Sequence, residues 1–337
     1  MPSSRYRVHN LLGDLAGLGW HSATLTPSMA RERRLLHFGR DLARAVAGHD
    51  VLLIQRPGRR REELGVLRTA AARSRLVVVD VDDPVDEAGT FAWALGSADL
   101  LLAGSQAVQR RYQGRLPRVV EHPTPLDFDL YARNRSGPNG NPVVGWIGDG
   151  PAYAESLVRM VSAVARSGHE VQLRIVGTRG DPRLEAALRV ASGSGQIELV
   201  SSVAWEDERA VADCVGAFDI GLAPFRNEAG GSFKTIQYLA AGAIPIVEVG
   251  GEAAHHARLA LGEDALVVPP GDTEAMRAAL ERIATPRARM ELGDRARELA
   301  RPRYGRNAVA ARLDRILRSM LEERTARRPS AGGQNSP

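Results

Sequence analysis

The sequence predicts an α/β protein built from two doubly wound parallel-sheet domains, and three features predict it. Short apolar runs of strand length alternate with segments of helical spacing along most of the chain. A stretch rich in Asn, Gly and Pro, residues 134–142, interrupts that alternation once, and the alternation then restarts. Residues 218–249, FDIGLAPFRNEAGGSFKTIQYLAAGAIPIVEV, read without a break as strand, loop, helix and strand, the βαβ unit of a parallel sheet. At 337 residues the chain has room for two domains of ordinary size.

In chain order, Val8, Leu11, Leu12, Leu15 and Leu18 recur at helical spacing, and a helix over 8–18 ends near Gly17 and Gly19. Residues 21–26 have the composition of a short strand. A helix over 35–46 leads to a buried strand at 51–55. Helix 62–72, strand 76–79, helix 91–98, strand 100–103, helix 105–111 and a brief strand at 119–120 complete a first domain, 1–138. A second domain, 139–305, repeats the plan with strand 143–147, helix 155–167, strand 171–176, helix 182–191, strand 197–200 and helix 208–215. Within the βαβ unit that follows, 218–223 is a strand and 224–231 a loop. Ser232 is placed to cap a helix over 233–241, where Phe233, Ile236, Leu239 and Ala240 hold the apolar positions. Gly242 stands at the C′ position with Pro245 shortly beyond, and 244–249 is a second buried strand. Strand 266–268, a helix 273–284 capped by Asp272 or Thr273, and a helix 289–300 follow. In the last segment, 306–324, Val309, Leu313, Ile316, Leu317, Met320 and Leu321 share one helix face. Residues 325–337 are polar with Pro and Gly, an expected disordered tail.

Composition narrows the function. Hydrophobic residues at 44% and charged residues at 25% are those of a globular protein. No apolar run approaches the roughly 20 residues that span a bilayer, and the N-terminus lacks the apolar core of a signal peptide. The one cysteine, Cys214, has neither an internal disulfide partner nor a metal cluster to join, and beside Val211 and Val215 it reads as a core residue. The expected compartment is the cytosol. Residues 1–140 carry 20 arginines against 15 acidic residues, whereas 141–337 carry 25 basic and 25 acidic residues, so the positive excess sits in the first half. Runs such as Arg59-Arg60-Arg61 would meet an anionic acceptor or a lipid surface there, a peripheral membrane contact; a solvated face is the plainer account. No zinc-finger or recognition-helix pattern is present, which argues against nucleic acid as a partner.

One residue in the βαβ unit stands out. Among 45 lysines and arginines, Lys234 is the only lysine. A compact ammonium and a planar guanidinium are not interchangeable, and this one falls in the first turn of a helix, where backbone N–H groups already favour an anion. Ligands of βαβ units bind beyond the carboxyl ends of the strands, so the loop 224–231 and Lys234 face the expected site. A phosphate partner explains the position better than a surface lysine left by chance.

The order of several segments resembles a known group. FDIGLAPF followed by FKTIQYLAAGAIPIVEV looks like the C-terminal signature of glycosyltransferases with two facing Rossmann-type domains, the GT-B fold, and most resembles the retaining enzymes numbered family 4. SSRYRVHNLL resembles the group's N-terminal loop and first helix; LVVVDVDD, ADLLLAGSQAV and VVEHPTPLD resemble the rest of its first domain; VVGWIGDG opens the second, followed by LRIVG and VAWEDERAVADCVGAFDIGLAPF. The likeness spans residues 3–285. It implies transfer of a sugar from a nucleoside-diphosphate sugar to a glycan, lipid or small-molecule acceptor, with retention of configuration. The donor would lie on the second domain and the acceptor on the first, across a cleft. No metal and no cofactor would be needed, the departing diphosphate being held by protein cations, a helix N-terminus and backbone amides.

The resemblance also assigns roles. Lys234 would contact the donor phosphates, and Gly230, Gly231, Ser232 and Phe233 would present backbone N–H groups to them. Gln237 shares a face with Lys234 at i+3 and occupies a position where many relatives carry a ribose-binding glutamate; it offers a donor and an acceptor without charge. Gly148, Asp149 and Gly150 would edge the cleft after the first strand of the second domain. The phosphate-binding arginine that many relatives place nearby is absent there, and Arg226 or Arg5 would substitute. Asp82 would face the acceptor. The run Asp80-Val81-Asp82-Asp83 has the look of a DxD metal motif from a different glycosyltransferase fold, but it lies in the half of the chain without nucleotide signals. His122, His255 and His256 read as structural, while His9 sits near the first loop of the expected cleft. Relatives begin with a strand before the SSRYRV-like loop, central to the first sheet, and this sequence starts after it. Either the start is misassigned or the first sheet has a gap. Two rivals share the two-domain plan: a non-catalytic nucleotide-sugar-binding subunit of a glycan-assembly complex, favoured by the missing first strand, Gln237 and the absent arginine, and a sugar-nucleotide epimerase, for which the sequence offers no acid/base pair.

Overall fold

The computed structural model describes residues 5–24, 40–42, 44–55, 61–82, 89–131, 141–193, 195–226 and 232–326. They fall into two compact units. One comprises the described residues up to Pro123 together with those from Asn307 on, and the other runs from Thr124 to Arg306. Both are α/β units built on wholly parallel sheets.

In the first unit a π-helical turn, Arg5–His9, leads into helix α1 (Asn10–Gly17). Residues 40–42 and 44–47 are helical. Then follow β1 (Val51–Gln55), α2 (Arg61–Arg73), β2 (Leu76–Val81), α3 (Gly89–Gly96), β3 (Leu100–Ala103), α4 (Gln106–Tyr112) and β4 (Val119–Glu121). Ser105 caps α4 by accepting from the Val108 N–H at 3.2 Å. The strands pair in sequence order, β1-β2-β3-β4. Right-handed crossovers stepping always in one direction put every connecting helix on one face. Val77, Val79, Val81, Leu101 and Ala103 turn to that face and pack against α3 and α4. The alternate residues, Leu76, Val78, Leu100 and Leu102, meet Leu11 of α1 and Val309, Leu313, Leu317 and Met320. Those last four belong to the final helix, α12 (Arg306–Ala326), which returns from the other end of the sequence to cover the face the crossovers leave bare.

The second unit holds β5 (Val143–Ile147), α5 (Gly150–Arg166), β6 (Gln172–Val176), α6 (Pro182–Ser192), β7 (Gln196–Val200), α7 (Glu208–Gly216), β8 (Ile220–Ala223), α8 (Ser232–Ala241), β9 (Ile244–Glu248), α9 (Gly251–Leu261), β10 (Leu266–Val268), α10 (Thr273–Arg282) and α11 (Pro286–Tyr304). Its sheet has the order β10-β9-β8-β5-β6-β7. The chain runs outward from β5 to β7, then returns to β5's other side and runs outward to β10, so the topological switch lies between β5 and β8. One face carries α5, α6 and α10 on a core centred on Trp146, Leu157, Val161, Ile175 and Leu188. Gly145 and Gly221 are paired across β5 and β8. A Cβ on either would overlap a ring, that of Phe218 over Gly145 and that of Tyr238 over Gly221. Two missing side chains thus make a flat slot for two rings. The Tyr238 hydroxyl donates to the Leu222 carbonyl at 3.0 Å, which fastens α8 to the sheet.

The structure departs from the sequence reading in places. Residues 21–24 form no strand, and 25–26 lie outside the described residues. The first sheet has no internal gap: pairing is continuous from β1 to β4, and β1 is an edge among the described residues. The division between units falls at Pro123/Thr124, ahead of the expected 138/139, because Leu126 bridges to Gly305 and Tyr131 bonds to α8. The segment expected to stand apart at 306–324 belongs, from Asn307 on, to the first unit, and its helix runs to Ala326. Most of the linker 134–142 and the tail from residue 327 lie outside the described residues.

Candidate functional site

Open parallel sheets bind ligands outside the carboxyl ends of their strands at the switch point. In the second unit that place is the end of β5 and β8, where Gly148, Asp149 and Gly150 leave β5 and Phe225 and Arg226 leave β8. Lys234, in the first turn of α8, reaches into it. Its Cε would lie 3.4 Å from a Cβ placed on Gly148, and its ammonium sits 3.9 Å from the centre of the Tyr153 ring and 5.3 Å from that of Trp146. The Arg226 guanidinium approaches the same Tyr153 ring at 5.3 Å. One aromatic ring therefore holds two cations.

The electrostatics of Lys234 are unusual. It is only 8% exposed. Burial, with Arg226 adding to it and Asp149 opposing, brings its pKa down to about 7. An ammonium so poised gains most from an anion that restores its charge. Asp149 is not free to act as that anion alone, because Arg179 binds it at 3.1 Å. Arg179 is the one non-glycine residue with positive φ among the described residues, at 56°, a conformation uncommon for a side chain of its size. The Trp146 Nε1–H, buried beside Lys234, finds no acceptor among the described residues.

The floor of this place is backbone. Gly148 N–H donates to Val176 and Gly150 N–H to Gly177, at 3.1 and 2.8 Å. A Cβ on Gly177, whose φ is +100°, would overlap the Gly148 carbonyl oxygen, so the loops after β5 and β6 touch with nothing between them. The wall after β8 is held by Glu248, the last residue of β9 and 1% exposed. Its carboxylate accepts from Arg159 Nη2 at 2.8 Å, Arg159 Nε at 3.2 Å and the Phe225 N–H at 2.8 Å. The pairing holds the Arg159 guanidinium above its ordinary pKa.

The sequence-predicted residues divide accordingly. Lys234, Arg226, Gly148, Asp149 and Gly150 come together. Ser232 begins α8 rather than preceding it, and Phe233 is half-buried in the same turn. Gly230 and Gly231 lie outside the described residues. Gln237 is 4% exposed and its side-chain amide donates to the Tyr131 hydroxyl at 3.0 Å, inside the unit. Trp146, Tyr153, Gly177, Arg179, Arg159 and Glu248 escaped the sequence reading. The glycine of LRIVG and the unusual Trp and Tyr flanking GDG were the signals available.

Asp82 belongs to the first unit. It follows β2, half-buried, with its Cα 2.7 Å from a Cβ placed on Gly104. Its neighbour Asp80 is committed elsewhere: Arg7 grips both carboxylate oxygens, and Gln55 donates to one at 3.0 Å. A DxD metal site needs Asp80 free, and Asp83 lies outside the described residues. Arg5 stacks on Tyr6 in the same unit. His122 is buried and its pKa is held well below the usual value by burial and by Arg7 and Arg312, whereas His9 is exposed.

Residues 141–285, within the second unit, match the family model described as "Glycosyl transferases group 1". No curated protein matches the chain in sequence. Solved structures resemble it in fold. A glycosyltransferase from Rickettsia africae superposes with a TM-score of 0.67 at 12% identity, over 92% of this chain and 88% of its own. HepE of Anabaena, solved in complex with UDP and glucose, gives 0.62 at 15% identity over 88% and 85%. The UDP-forming α,α-trehalose-phosphate synthase of Burkholderia vietnamiensis gives 0.57 at 13% over 94% and 84%. At these identities the likeness is one of fold, that of the two-domain GT-B glycosyltransferases.

Proposed function

We propose that the protein is a metal-independent, retaining glycosyltransferase that takes its sugar from a nucleoside-diphosphate donor. The observation that carries this reading is Lys234, a buried ammonium at the β5/β8 switch point of the unit that matches the glycosyl transferases group 1 model, with Arg226 on the same ring. The complexes of HepE with UDP and the UDP-forming synthase support a nucleotide-sugar donor. Transfer breaks the bond between the sugar's anomeric carbon and the diphosphate and forms one to the acceptor oxygen on the same face, while the acceptor's proton leaves with the diphosphate. Charge develops on the departing oxygen, and fixed cations with the first turn of α8 stabilise it there without reorganising. Arg226 takes the part of the arginine missing near Gly148, and Asp82 is the carboxylate we assign to the acceptor side. The acceptor is a glycan, a lipid or a small molecule. We place the protein in the cytosol or loosely on a membrane surface, in keeping with the charge of residues 1–140; no helix among the described residues is long and apolar enough to cross a membrane.

Lys234→Ala tests the reading. Release of nucleoside diphosphate from a panel of sugar donors should fall by about 100-fold or more, with the circular dichroism spectrum unchanged; turnover near wild type would remove Lys234 from the mechanism. One observation favours the rival, a non-catalytic binding subunit: Gln237, where a charged ribose ligand would serve, is neutral and spent on Tyr131. Calorimetric binding of nucleoside diphosphates by a wild type that turns over no donor would decide for the rival.

A further inference from the structure

Helix α9 carries Glu252, His255 and His256 in its first two turns, at i, i+3 and i+4. A carboxylate oxygen and one ring nitrogen from each histidine lie within 4.8 Å of one another. Glu252 and His256 are buried and His255 half-buried. The Nδ1 of His256 is paired with the Tyr304 hydroxyl of α11 at 2.7 Å. Its Nε2 has no hydrogen-bond partner among the described residues and stands 3.8 Å from a Glu252 oxygen, too far for a hydrogen bond. We propose that Glu252, His255 and His256 form a site for a divalent transition-metal ion of the zinc class, apart from the donor site.

The chemistry of the set fits such an ion. Two imidazoles and a carboxylate are the usual nitrogen and oxygen ligands of zinc, which leave a fourth position open. A ligating histidine normally fixes its other ring nitrogen against an outer partner. Tyr304 is that partner: when Nδ1–H donates to its hydroxyl, Nε2 is left as a lone pair facing a carboxylate, and two acceptors so placed are stabilised by a cation between them. A neutral imidazole offers that lone pair to a metal, and His256 is held in place for it by α11. Arg303 and the start of α9 both oppose a positive charge. A hard ion held by field alone, such as calcium or magnesium, is thereby disfavoured against one held by bonds to nitrogen.

Protein freed of metal by a chelator and carrying no affinity tag should take up one equivalent of zinc in a calorimetric titration. Cobalt(II) in its place should give the visible absorption of a tetrahedral site. His255→Ala changes a half-buried residue and should keep the fold; it should weaken zinc binding by about tenfold or more and alter the cobalt spectrum, with nucleotide binding unchanged. Glu252→Gln should act in the same direction. Failure of the wild type to take up one equivalent, or uptake and a cobalt spectrum indifferent to both substitutions, overturns the site.

Discussion

At the scale of the residue, Lys234 sets the pH behaviour of the second unit. Its pKa is about 7 in the fold, against about 10.4 for an unperturbed lysine. Between those values the unfolded chain binds more protons than the folded one, so this group makes stability rise with pH, by at most about 1.4 kcal/mol per pH unit. Urea unfolding at about pH 7 and pH 9 should show that rise in wild type and a smaller one in Lys234→Met. A bound diphosphate reverses the balance by favouring the ammonium. Binding should then take up a proton and weaken as pH climbs past about 7, and calorimetry in two buffers of different ionisation enthalpy measures that uptake. The solitary lysine was plain in the sequence, but its cage was not. Trp146 reads as one more apolar residue of a buried strand, and Tyr153 falls before the helix expected from residue 155, which the structure starts at Gly150. Burial of Gln237 was equally hidden, because Tyr131 lies in a stretch with no periodic pattern.

At the scale of the element, the site depends on how tightly the strand-end loops meet. Gly177→Ala would set a side chain at positive φ and against the Gly148 carbonyl. It should cost about 3 kcal/mol or more, read as a fall in the urea midpoint. Glu248→Gln leaves the Arg159 guanidinium and the Phe225 N–H with a neutral partner. Because Arg159 is partly exposed, the expected loss is about 2 to 3 kcal/mol, accompanied by weaker nucleoside-diphosphate binding as the loop after β8 loosens. A loss of stability with no change in affinity would separate that loop from the donor site. The strands themselves were legible: β1, β3, β5 and β10 have the expected bounds, since a short apolar run between polar turns has few alternatives. The Glu248–Arg159 pair was not, since its members stand 89 residues apart and no local pattern joins them.

At the scale of the whole molecule, the alternation of strands and helices announced two parallel sheets, yet it could not say which helix covers which face. The apolar stripe of α12 was visible as Val309, Leu313, Leu317 and Met320, whereas its partner, the second face of the first sheet, follows only from the strand order. Deleting residues from Asn307 on should therefore expose Leu76, Val78, Leu100 and Leu102. Scanning calorimetry should then lose the transition of the first unit and keep that of the second. The central claim, that a diphosphate meets Lys234 at the switch point of the second sheet, is tested most directly by a crystal structure with a nucleoside diphosphate bound. The account predicts a terminal phosphate oxygen within about 3 Å of the Lys234 nitrogen, beyond the ends of β5 and β8. A diphosphate bound elsewhere, with that nitrogen still seated on the Tyr153 ring, would contradict it.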